Sequence, residues 1–152
     1  MLTVPPLRKP VLPGAWRAAA EAPTRWSCVL RLRQDGHEIR VRAERCAAGR
    51  LRATYPVGAH DVEVRILDDC PQHLLTQLLR TLTLSLWAAD PSCRRTVYAA
   101  PAGDLDRIGA AEDAGFRHVV DVDLGQDELG LLVAEPEWVT GGDADHDRVP
   151  GT

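Results

Sequence analysis

The stretch VEVRILDDCPQHLLTQLLRTLTLSLWAADPSCRRTVYAAP, Val62 to Pro101, decides the fold of this chain. Val62, Val64 and Ile66 alternate with Glu63 and Arg65, the period-two pattern of a strand. From Gln72 to Ala89 the period changes: Leu74, Leu75, Leu78, Leu79, Leu82, Leu86 and Trp87 fall on one helical face, the most apolar in the chain. Asp90-Pro91 ends that helix. Thr96 to Ala100 is a short strand that runs into Pro101. A strand, a helix and a strand in this order predict a parallel pair joined by a right-handed crossover.

Working outward, antiparallel hairpins are predicted on both sides of this unit. Upstream, Trp26, Cys28, Leu30 and Leu32 alternate with polar residues. Asp35-Gly36 is a type I′ turn signal, because both central positions need positive φ. A return strand then carries Ile39, Val41 and Ala43. The turn fixes the register, setting Leu32 against Ile39 and Leu30 against Val41, with Arg31, Arg33, Arg40 and Arg42 on the other face. Downstream, Leu105 to Ala114 reads as a second helix with Gly115 at its C′ position. Phe116–Leu124 and Leu129–Ala134 read as two strands around Gly125-Gln126-Asp127. The class is α/β (α+β): a mixed sheet with antiparallel N-terminal strands, a central parallel pair and flanking helices.

At 152 residues the chain suits one domain with loose ends. Residues 1–25 are proline-rich, with Trp16 to Glu21 read as a short helix closed before Pro23. Residues 26–135 form the domain, and 136–152 read as an acidic flexible tail. Only 5% of residues are aromatic, so the core must be built mainly from Leu, Val, Ile and Ala. A net charge of −4 argues against a general nucleic-acid partner. Four scattered cysteines without a CxxC pair read as reduced thiols, and no metal-ligand spacing appears. No run is long enough for a membrane span, so a cytoplasmic protein with no membrane partner is expected.

Several short passages resemble one family. Ala110-Ala111-Glu112-Asp113-Ala114-Gly115-Phe116-Arg117 is similar to the "E-x-A-G-F-R" segment of the GNAT N-acyltransferases. Trp87-Ala88-Ala89-Asp90-Pro91, Arg94-Arg95 and Pro101 resemble that family's "A-D-P…R-R…P" passage. Val120-Asp121-Val122-Asp123-Leu124 looks like the "E-V-D-L-P" strand of its siderophore-type members, and His60-Asp61 stands where those carry a His-Asp pair. The element order is also that of the GNAT fold.

The resemblance implies an acyl-CoA donor (acetyl-CoA or longer) and a small-molecule primary amine as acceptor. It implies catalytic roles for Asp123 and His60, and acceptor contacts from Arg65 and Asp61. Asp123 could act as general base or orient the amine, the alternative being a solvent-facing residue like Asp121. Arg65 falls near the position of the siderophore-type catalytic histidine. It cannot be a base at neutral pH but could bind an anionic acceptor, or else pair with Glu63 or Asp61. Tyr98 is a candidate acid toward the leaving thiolate, or a core residue.

The implied cofactor loop spans Leu67 to Thr76, with Leu67, Leu74, Leu75 and Thr76 as its contacts. It departs from the glycine-rich pyrophosphate pattern, having no glycine and having Asp68 and Asp69 beside the helix start. One of these two is the expected N-cap. The alternative function is therefore a non-catalytic GNAT-like binding or assembly module with a protein partner. A homodimer is compatible with either reading.

Overall fold

The computed structural model describes residues 3–14 and 16–136. It contains seven strands and two helices: β1 (Arg17–Glu21), β2 (Ser27–Gln34), β3 (His37–Arg45), β4 (Val62–Ile66), α1 (Gln72–Ala89), β5 (Thr96–Pro101), α2 (Leu105–Asp113), β6 (Arg117–Leu124) and β7 (Asp127–Ala134). They form one sheet in the order β1-β2-β3-β4-β5-β7-β6. Only β4 and β5 are parallel; the other adjacent strand pairs are antiparallel. Of the tail expected at 136–152, residues 137–152 lie outside the described residues.

The β2–β3 hairpin has the register that its turn demands, with Leu32 opposite Ile39 and Leu30 opposite Val41. Asp35 and Gly36 take φ of 51° and 79°, the two positive values of a type I′ turn. Helix α1 lies across the sheet with Leu74, Leu75, Leu78, Leu79, Leu82 and Leu86 buried. They meet Leu30, Leu32, Val41 and Val64 in the larger of two cores. Burial of each such leucine contributes about 1.5–3 kcal/mol. Helix α2 stops at Ala114, and Gly115 takes φ 101°, so a left-handed C′ glycine turns the chain into Phe116.

The opposite face is covered differently. Cys46 and Leu51, from the segment between β3 and β4, pack on Val97, Leu131 and Val133 in a second core, with Tyr55 and Val57 against it. Over β1 to β3 that face carries charged side chains.

The N-terminal segment corrects one expectation. Residues 17–21 are not helical but form the edge strand β1, with Ala18 opposite Leu32 and Ala20 opposite Leu30. Alanine's helix preference over so few residues is small beside the pairing that β2 offers. Trp16, 5% exposed, joins the main core together with Leu7 and Leu12, so the folded unit begins well before Trp26.

An ionic network at the start of β4 ties the segment down further. Arg45, 1% exposed, donates to Asp90 Oδ2 at 2.7 Å and to the carbonyls of His60 (2.6 Å), Pro6 (2.9 Å) and Pro5 (3.3 Å). Burial would raise the Asp90 carboxyl, but hydrogen bonds from Arg45, His60 and the Ser92 N–H outweigh it and hold the group below the usual carboxylate range. Asp61 is bound by Arg95 at 3.0 Å and accepts the Gly58 N–H at 2.8 Å.

Candidate active site

The parallel pair gives the fold its opening. β4 and β5 share only the pairs Val62↔Thr96, Glu63↔Val97 and Val64↔Tyr98, although both strands continue. Beyond that point β4 stays with β3 (Arg42↔Arg65, Val41↔Ile66) and β5 stays with β7 (Ala99↔Leu131, Pro101↔Leu129). The two therefore splay, and the backbone edges that face each other lose their ladder partners. A cleft of about 200 Å³ occupies the gap, lined by Arg50, Arg65, Ile66, Asp68, Cys70, Leu75, Tyr98, Ala99, Pro101, Arg107 and Leu129. A second cavity of about 240 Å³ shares Cys70, Leu75 and Arg107 with it and extends past Gln72 to Asp104 and Asp106. The path thus runs from the sheet across the start of α1 to the start of α2. A hollow of about 450 Å³ at the β2–β3 turn is lined by exposed residues apart from Gln34; it is a surface dish.

The two helix starts differ. Asp104 caps α2 by accepting the Arg107 N–H at 3.1 Å. Helix α1 has Pro71 at its N-cap, no side-chain cap and no acid in its first turn, which corrects the expectation that Asp68 or Asp69 caps it. Cys70-Pro71 separates both carboxylates from the helix. Asp68 is drawn to β3 instead, where it accepts Arg40 Nε, Nη2 and backbone N–H at 3.1, 2.9 and 2.8 Å. Those hydrogen bonds, from the side chain first, hold the Asp68 carboxyl below its ordinary range. The first N–H groups of α1 and the positive end of its dipole remain available to an anion.

Of the residues singled out from the sequence, Arg65 and Leu75 reach the cleft. Leu74 is core, 3% exposed. Thr76 donates its hydroxyl to Ala110 O at 2.9 Å, joining α1 to α2. Leu67 donates its N–H to Arg40 O and is 37% exposed. Asp61 and His60 sit at the far end of β4, about 13 and 17 Å from Arg65 at ~3.3 Å per residue, and belong to the ionic network there. His60 Nδ1 is 3.3 Å from Asp90 Oδ2. Asp123 is exposed on the edge strand β6, opposite Glu128, two strands away from β5.

Arg65 does not pair with either expected acid. Asp61 belongs to Arg95, and Glu63, 1% exposed, is gripped by Arg50 at 2.6, 3.1 and 3.2 Å. Spacing gave no hint of the Arg50–Glu63 pair; the one available signal was a carboxylate in a central strand, which burial obliges to find a partner.

Tyr98 packs edge-on to Phe116, with ring centroids 6.5 Å apart, and is 4% exposed where it lines the cleft. Its hydroxyl has no hydrogen-bond partner among the described residues. Burial pushes this phenol up to about 12, so it stays protonated. Burial likewise pushes the Cys70 thiol to about 11, which leaves it a poor nucleophile at neutral pH. Among the described residues no group of three His, Cys, Asp or Glu side chains is placed to hold a metal, and no helix is long and apolar enough to cross a membrane.

No protein-family model matches the chain, and no curated protein matches it. Solved structures do. An aminoglycoside acetyltransferase, AAC(6')-Ib, in complex with paromomycin and acetyl-CoA superposes with a TM-score of 0.62 at 15% identity, over 75% of this chain and 67% of its own. An uncharacterized protein from Bacillus halodurans gives 0.65 at 16% over 74% and 60%. RimJ of Mycobacterium smegmatis, in complex with CoA-disulfide, gives 0.54 at 12% over 75% and 55%. The chain thus matches between about half and two thirds of the length of these proteins. It has the GNAT fold.

Proposed function

We propose that the chain is an acyl-CoA-dependent N-acyltransferase for a small-molecule amine. The observation that carries this reading is the splay of β4 from β5 beyond Val64 and Tyr98. It leaves unpaired backbone edges facing a cleft that leads to the uncapped start of α1. Unpaired strand edges suit an extended amide-containing chain, and a free helix start suits a diphosphate. Arg107, held by Asp104 at 3.5 Å, lines both cavities on the same side. Two of the proteins that share the fold were solved with acetyl-CoA or a CoA derivative bound, which supports the same ligand here.

Acyl-CoA supplies an activated thioester. The chain's part is positional and electrostatic. The Tyr98 hydroxyl, protonated and without an internal partner among the described residues, would supply a hydrogen-bond donor to a thioester sulfur as negative charge grows on it. Among the described residues the only carboxylate lining the cleft of about 200 Å³ is Asp68, which Arg40 holds, and no imidazole lines it. In this reading the acceptor amine reacts from its own neutral fraction and loses its proton to water. Rate therefore follows the titration of the amine.

Two features favour the second reading, a non-catalytic binding module. The Leu67–Pro71 loop has no glycine, and the Thr76 hydroxyl is spent on Ala110. Thiol release from acetyl-CoA in the presence of a panel of primary amines separates the two readings. Turnover that Tyr98→Phe slows supports the transferase; acetyl-CoA that binds without turnover on any amine supports the module. The same assay on Asp123→Ala tests the carboxylate on the edge strand β6.

A further inference from the structure

On the sheet face turned away from α1, two cations lack an acidic partner among the described residues: Arg17 at the β1 edge and Arg65, which stands at the cleft. Arg31 and Arg33 on β2 are paired with Glu21 and Glu38 at 2.7–3.5 Å. On β3, Arg40 holds Asp68 and Arg42 holds Glu44. Arg50 holds Glu63. Arg65 has no acidic partner among the described residues, yet it is only partly exposed and lines the opening.

Its directly opposed neighbour is Arg42. Like charges in that position repel and cost stability. Arg42 Nε is also buried without a hydrogen-bond partner, an unmet donor beside an unmet charge. Arg42, Arg50 and Arg65 against Glu44 and Glu63 leave a single positive charge in this cluster, and two of its three guanidinium groups line the cleft.

We propose that Arg65, with Arg50 beside it, binds the carboxylate of the acceptor, so that the acceptor is a small amino carboxylate. This rests on the N-acyltransferase reading and names its substrate class. The side of the sheet assigns the anion to the acceptor and not to the CoA phosphates. Val64 and Ile66 face α1, so Arg65 between them faces away from the helix start that would take a diphosphate. Arg50 arrives from the segment that covers this same opposite face. One net charge matches a carboxylate; a phosphomonoester would bring about −1.5 to −2 at neutral pH. Planar guanidinium groups also suit a carboxylate, which accepts two parallel N–H bonds. An opening of about 200 Å³ has room for about seven waters at ~30 Å³ each, the scale of a small molecule.

The test uses matched probes: ω-amino carboxylates from glycine to 6-aminohexanoate, each against its carboxamide. Binding is titrated by calorimetry and NMR on the full chain, with and without acetyl-CoA, for wild type and Arg65→Gln. At least one carboxylate is expected to bind about tenfold more tightly than its carboxamide, a preference that falls below about twofold in the variant. Acetyl-CoA affinity is expected to stay unchanged in Arg65→Gln. Equal binding of carboxylates and carboxamides by the wild type, no binding of either, or a preference that survives the substitution would overturn the proposal. Weaker acetyl-CoA binding in Arg65→Gln would also overturn it, by assigning Arg65 to the cofactor while leaving the transferase reading intact. A carboxylate preference that depends on Arg65 in a chain that does not bind acetyl-CoA would reject that reading and keep the anion site.

Discussion

Arg40 and Asp68 lock the loop before α1 to the neighbouring strand through three contacts, two from the guanidinium and one from the Arg40 backbone N–H. The pair decides what charge the cleft presents beside the start of α1. While Arg40 holds it, the Asp68 carboxylate is neutralised where phosphates would approach. Arg40→Ala is therefore expected to weaken acetyl-CoA binding by roughly 5- to 10-fold, in line with the ~1 kcal/mol of a like-charge contact at about 4 Å in water. Arg40→Ala with Asp68→Ala should recover most of that loss. Isothermal titration of the single and double variants checks this; equal losses in both would mean that the pair acts through loop order alone.

Tyr98→Phe should lower kcat by about 10- to 100-fold, the value of one hydrogen bond to a charged group. The melting temperature should barely change, because the hydroxyl has no internal partner to lose. Steady-state kinetics and a thermal melt on the same preparation read both outcomes.

Thr76→Val removes the 2.9 Å bond to Ala110 O and leaves that carbonyl with the Ala114 N–H alone. A stability loss of about 1 kcal/mol is expected, with acetyl-CoA affinity unchanged. Urea denaturation and calorimetry separate a helix-joining role from a ligand contact.

Arg45→Met leaves Asp90 buried without its guanidinium and frees the carbonyls of Pro5 and Pro6. The expected cost is about 3–5 kcal/mol, as for breaking one side of a buried pair, read by urea denaturation. Asp90 also gives this network a pH signature. Its folded pKa lies below its unfolded value of about 4, so its stabilisation is fully present above about pH 4. That stabilisation is lost as pH falls through the lower folded value. Stability should fall more between about pH 5 and pH 3 in the wild type than in Asp90→Asn. An equal fall in the two would remove Asp90 from the acid response.

Much of this fold was legible in the sequence because periodicity and turn chemistry agreed. Val62–Ile66, Gln72–Ala89 and the Asp35-Gly36 hairpin combine an apolar period with an unambiguous stop or turn. β1 was not legible: three alanines carry no alternation, and the turn at Ala22, with φ 42°, lacks the usual glycine or asparagine. At the site, Arg65 and Leu75 could be placed because a strand end and a helix start converge in any such crossover. The Arg50–Glu63 and Arg40–Asp68 pairs depend on which strands are neighbours and on where a long loop returns. Neither is written in local spacing.

The most direct test of the central claim is a calorimetric titration of acetyl-CoA into the wild type and into Ala99→Trp, which fills the splay between β4 and β5. The account predicts wild-type binding with a Kd between about 1 μM and 1 mM, the range of ordinary enzyme substrates, and at least about tenfold weaker binding to Ala99→Trp. No heat of binding up to about 1 mM, or affinity that survives the tryptophan, would contradict it.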